Sequence, residues 1–208
     1  LYYRGVYYQN SSSYQLSNDH FEKSIKLLEN AKHDTIKARN YIGIGNNLKN
    51  SGDYPKAFRY LYQALRINEK YHRKYGISSS LGCIAQIHLQ KNDIPAAKEY
   101  LLKALKVLGD DKYNQVYLIA SHTLANLYGM SGDYKSALEI DKEGIMISDK
   151  MNSPRNKSTF FDNKANCFMY SNQLDSAAYY FNECLKIDIA IGETKQVADT
   201  YSNLGTLS

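Results

Sequence analysis

An internal period of 40 residues constrains this chain more than any other feature of its sequence. Alanines that follow a short turn stand at Ala57, Ala97, Ala137 and Ala177. Twelve residues before each anchor comes another small residue: Gly45, Ala85, Ala125 or Ala165. Seven after come Ala64, Ala104, Gly144 and Cys184, and eight after come Leu65, Leu105, Ile145 and Leu185. The turns before the anchors read Gly52-Asp53-Tyr54, Asn92-Asp93-Ile94, Gly132-Asp133-Tyr134 and Asn172-Gln173-Leu174. Four registers that coincide in this way mark a stack of equivalent units.

The residue types say what each unit is. Tyr41, Ile44, Gly45 and Leu48 form an i, i+3, i+4, i+7 stripe, the signature of an amphipathic helix. After the turn the stripe restarts as Ala57, Leu61, Ala64 and Leu65. Small residues recur where two helices approach closely, and large apolar ones fill the gaps beside them. Gly52 and Gly132 can end a first helix in the left-handed conformation. Asp53, Asp93 and Asp133 can then cap the second helix by accepting from its free N–H groups. Such a helix pair cannot bury its own apolar face, so neighbours must stack.

A small residue in the middle of the first helix, a Gly-Asp-Tyr turn and two alanines seven apart resemble the tetratricopeptide repeat. The resemblance covers nearly the whole chain. The 40-residue period is longer than the usual 34 and is similar to the longer-repeat branch found in kinesin light chain and bacterial peptide-sensing regulators. It implies an all-α, right-handed α-solenoid of antiparallel helix pairs. The expected organisation is one solenoid with units at 1–34, 35–77, 78–117, 118–157 and 158–197 and a truncated unit at 198–208. The additional residues are expected between units, around Tyr75-Gly76, Gly109-Asp110, Met151-Asn152 and Ile191-Gly192.

The flanks extend the array. Ser24 and Ala31 are expected to fill the second-helix alanine places of the first unit, at a shorter spacing of 33 from Ser24 to Ala57. The segment from Tyr2 to Leu16 matches poorly and is expected to fray or cap. Tyr201, Leu204 and Gly205 fall where a next first helix requires them, so the chain is expected to be a fragment cut inside a repeat, with an uncapped C-terminal end through which copies could associate. Two places break the pattern. Lys164 stands where other units have Ile44, Ile84 and Leu124, and Asp141 where they have Leu61, Leu101 and Phe181. A looser interface or snorkelling side chains would accommodate them.

Composition excludes several classes. Apolar residues make up 43% and charged residues 23% of 208, which is ordinary for a folded chain. No apolar run approaches the roughly 20 residues that span a bilayer. Leu1 to Arg4 do not read as a signal peptide, and either a cytoplasmic or, after removal of a leader, a periplasmic location fits. Cys83, Cys167 and Cys184 have no CxxC spacing and are expected to be small buried hydrophobes. His20, His33, His72, His88 and His122 form no metal-ligand spacing, and His88 takes a packing position. No nucleophile elbow, phosphate loop or dinucleotide fingerprint occurs. An enzyme is therefore not expected, nor a cofactor or metal.

The expected function is a protein- or peptide-binding scaffold or sensory module, probing its ligand through a concave groove lined by first helices, as the resemblance implies. Eleven residues before the anchors stand Asn46, Gln86, Asn126 and Asn166, with Asn163 and Asn203 on the neighbouring row. A side-chain amide offers donors and an acceptor together, which suits contact with a peptide backbone. The carboxylate clamp of the family needs basic residues on this face, where Ile42, Gly82, His122 and Asp162 stand, so chaperone-tail binding is disfavoured. Charge supplies the alternative. Residues 1–108 hold 17 Lys/Arg against 8 Asp/Glu, and residues 109–208 hold 9 against 13. The basic N-terminal half could dock nucleic acid or another acidic surface, although nucleic acid is the weaker reading. Its densest stretch, Lys56, Arg59, Arg66, Lys70, Arg73 and Lys74, is expected on an outward-facing second helix.

Overall fold

The computed structural model describes residues 1–28 and 33–207. Among these, eleven helices and no strand occur: α1 (Tyr2–Asn10), α2 (Tyr14–Leu27), α3 (Asp34–Asn50), α4 (Tyr54–Lys70), α5 (Lys74–Gln90), α6 (Ile94–Leu108), α7 (Gln115–Met130), α8 (Tyr134–Lys150), α9 (Pro154–Tyr170), α10 (Leu174–Ile191) and α11 (Thr194–Gly205). They group into two compact units, Leu1–Gly109 and Asp110–Ser208. Each is a stack of antiparallel helix pairs, so the all-α solenoid class holds.

Inside each unit the small residues do what their spacing requires. Ala57, Ala85, Ala97, Ala104, Ala125, Ala137, Ala165 and Ala177 are completely buried, as is Ala64. A Cβ on Gly45 would lie 2.7 Å from Leu61, so α3 and α4 cross too closely there for any larger residue. The turns behave as their chemistry predicts. Gly52 and Gly132 take positive φ, as do Asn92 and Asn172 at the equivalent places. The side chains of Asp53, Asp93 and Asp133 accept from the backbone N–H of Lys56, Ala96 and Ser136, capping α4, α6 and α8.

Two expectations are corrected. The first repeat keeps the 40-residue register, with no shortening to 33. Ser12 has φ of 56° at the place of Gly52, so the segment Tyr2–Leu16 contains a complete turn between two helices. Ser17 therefore stands where Ala57 does, Gly5 where Gly45 does, and Ser24 where Ala64 does. Ser17 is completely buried and its hydroxyl donates to Gly5 O at 2.8 Å, which satisfies a polar group in an alanine's place. Ala31, assigned above to that pair, lies outside the described residues. The second correction concerns the turn expected at Tyr75-Gly76. It falls at His72, whose φ is 48°, and is equivalent to Asn152 and Gly192 at 80 and 120 residues' remove. Arg73 and Lys74 consequently open α5, a first helix, and do not continue the second helix α4.

First helices also touch one another: α1 packs on α3, α3 on α5, and α7 on α9. Second helices reach the first helices on either side of them, as α4 does α3 and α5, and α8 does α7 and α9. The first-helix layer is thus the tighter one in each unit, which is the geometry that makes it the inner face of a curved stack.

Candidate functional site

The six amide positions meet different surroundings. In the first unit Asn46 lies beside Cys83, and its buried Oδ1 has no hydrogen-bond partner. Gln86 Oε1 accepts from Lys49 Nζ, an ammonium whose pKa burial lowers. These two amides come from adjacent first helices, α3 and α5.

The second unit brings three of them together. Asn126 of α7 and Asn163 and Asn166 of α9 line one cavity of about 470 Å3, with Met130, Tyr134, Cys167 and Tyr170 around them. Asn126 is exposed, and Asn166 is half-buried with its Nδ2 donating to Asp162 O and Oδ2 at 2.9 and 3.1 Å. Asn163 is buried and faces inward, donating to His122 O at 3.3 Å and Asp141 Oδ1 at 3.5 Å. It ties α9 to α7 and α8 at the cavity wall. Met130 and Tyr170 are 65% and 68% exposed at the rim, large apolar surface that the fold leaves uncovered. Gly129 lets α7 approach α9 closely, since a Cβ there would sit 3.3 Å from Cys167 Sγ. Asn203 of α11 lies elsewhere, in a second cavity with Asp162, Asp188 and Asp199.

Burial shapes the electrostatics of this unit. Asp141 is completely buried, and its carboxyl is pushed up to about 8 by loss of water. Lys164 attracts it, yet the ammonium itself sits 4.4 Å from the centre of the Tyr180 ring. His122 is driven down to about 4 by burial and meets Phe160 edge-on. Asp162 is raised to about 6, first by burial and then by Asp188 and Asp199. The three cysteines are buried and free, with burial raising each thiol. His88 packs between Phe58 and Tyr100, with Nδ1 2.9 Å from Asp93 Oδ2.

The repeat register alone did not reveal a buried polar network in the first unit. Asn47 is completely buried, accepts from Gln9 Nε2 at 2.7 Å, and donates to Ser17 Oγ and Asn18 Oδ1 at 2.8 and 2.7 Å. The other repeats have Ile87, Leu127 and Cys167 at this place. An asparagine among apolar equivalents was the available signal.

This geometry is that of a stack of antiparallel helix pairs, a fold like that of tetratricopeptide-repeat proteins. The family model for the tetratricopeptide repeat matches residues 35–110. No curated protein shows significant similarity to the sequence. Among solved structures, the chain is similar to BtubC from P. vanneervenii with a TM-score of 0.79 at 14% identity, covering 92% of this chain and 80% of that one. The kinesin light chain-like repeats of Podosopora anserina superpose with a TM-score of 0.69 at 16% identity, over 92% and 94% of the two chains. A Rap protein complexed with competence and sporulation factor gives 0.71 at 16% identity, over 98% of this chain and 61% of that one.

Proposed function

We propose that the chain is a protein- or peptide-binding module and that its ligand docks on the first-helix face of the second unit. The observation that carries this reading is the cavity in which Asn126 and Asn166 stand beside Met130, Tyr134 and Tyr170. Exposed apolar side chains supply area for a ligand side chain, and the amides supply donors and acceptors for its backbone. The Rap neighbour, held in complex with a factor, supports a binding role for this fold. Selection of peptides from a displayed random library against the whole chain tests the proposal. Selected peptides should lose affinity for a Met130→Asp variant, which places a charge at the rim. Peptides that bind parent and variant equally well would remove the site from this face.

A second reading follows from the charge of the first unit, where lysine and arginine outnumber acids by nine. It makes this unit a dock for an acidic surface such as nucleic acid. Affinity for a single-stranded oligonucleotide should then fall steeply with added salt; salt-independent or absent binding would dispose of it.

A further inference from the structure

We propose that the first unit carries an oxyanion subsite, distinct from the amide-lined cavity of the second unit, where the start of α5 faces α3. A cavity of about 250 Å3 lies there, and two guanidinium groups line it: Arg39 from α3 and Arg73, the N-cap of α5. Among the described residues neither is engaged in an ion pair or a side-chain hydrogen bond, and Arg39 is exposed. The helix that begins at the cavity is 17 residues long, and no side chain caps its N-terminus. Free N–H groups and the positive end of a helix dipole attract negative oxygen.

The independent sign of a ligand is Asn68. Its side chain is 3% exposed on the cavity wall, and its Nδ2 is buried with no acceptor. A buried donor without a partner destabilises a fold until an acceptor arrives. Gly76 sits directly against this amide, for a Cβ there would fall 2.2 Å from Asn68 Oδ1. The first turn of α5 is thereby held next to the unpaired donor. Donors of three kinds, guanidinium, backbone N–H and side-chain amide, meet at one small space with no acidic residue among those lining it. That chemistry selects a carboxylate or phosphoryl group and rejects an ammonium.

The equivalent cavity of the second unit shows that the fold does not impose this character. Residues 120 positions later include Asp188 in place of Asn68 and Glu193 in place of Arg73, with Asp162 and Asp199 beside them. Its one arginine, Arg155, is paired with Glu193. The same place in the repeat is therefore acidic in one unit and basic in the other.

The test is titration of the whole chain with inorganic phosphate and, separately, with acetate at constant ionic strength, followed by backbone amide chemical shifts. Saturable shifts at the start of α5 with at least one anion are expected, and the anion that binds identifies phosphoryl or carboxylate as the source. Binding should weaken roughly tenfold or more in Arg39→Gln/Arg73→Gln. The single Arg39→Gln variant, altered at an exposed position, should weaken it in the same direction should the double variant fail to fold. Saturation by neither anion, or parental affinity in a folded variant, would overturn the proposal. Because the probes are free anions, this result is independent of whether the second unit binds peptide.

Discussion

Asn163 Nδ2 reaches Asp141 Oδ1 at 3.5 Å, and Asp141 Oδ2 has no hydrogen-bond partner. The carboxyl occupies a place that Leu61 and Leu101 fill in other repeats, and all three are completely buried. One long hydrogen bond does not replace lost hydration, which is why the carboxyl titrates near 8 and not at its ordinary 3.8. The folded chain keeps the proton while the unfolded chain releases it. The contribution of Asp141 to stability is therefore intact below about pH 4 and is lost as pH rises toward 8.

Asp141→Leu should accordingly stabilise the chain by about 1–3 kcal/mol at neutral pH, because it removes a buried polar group whose Oδ2 has no hydrogen bond. Urea midpoints at pH 5 and pH 8.5 check it, and the gain should be larger at the higher pH. His122 works in the opposite direction, losing stability as pH falls from 6.5 toward 4, but it is common to both chains and cancels in the difference. Equal gains at the two pH values would show that Asp141 is not a buried, protonated acid.

The departures from the repeat mark where the sequence was readable and where it was not. Helix pairs, glycine turns and aspartate caps were legible because each rests on local chemistry repeated every 40 residues. Asp141 was visible as a break in the pattern, but its burial depends on α9 packing over it, which no local rule encodes. Serines that take the places of alanines hide the register of the first repeat. Counting back 40 from Ala57 and Gly52 gives Ser17 and Ser12, and the period would have found both. Forty-residue steps back from Gly192 and Asn152 likewise lead to the turn at His72. At the site, the register located the amides, but not which would share a cavity. Asn163 and Asn126 are both legible as groove residues, yet one is buried among internal bonds and the other is exposed.

Gly144→Ala tests the close approach of α8 and α9. Alanine favours a helix interior by about 1 kcal/mol over glycine, so on an open surface the change would stabilise. Here the new Cβ would lie 2.4 Å from the ring of Phe160, which is 1% exposed and has no room to withdraw. A net loss of roughly 1–3 kcal/mol is expected in chemical denaturation. A gain would mean that the two helices stand further apart.

Ser12→Gly tests the register of the first unit. Ser12 holds a φ of 56° where Gly52 and Gly132 hold 83° and 77°. A left-handed serine is strained by roughly 1–2 kcal/mol relative to glycine, so the melting temperature should rise. Gly52→Ala should lower it for the same reason. A neutral or destabilising Ser12→Gly would contradict a turn at this place.

The most direct test of the binding face is the affinity of a library-selected peptide for the chain and for Asn126→Ala/Asn166→Ala, measured by calorimetry. Each amide-to-backbone hydrogen bond contributes about 0.5–1.5 kcal/mol net, so the double variant should bind roughly 5- to 150-fold more weakly while melting within a few degrees of the parent. Parental affinity in the folded double variant would contradict a ligand held by these amides.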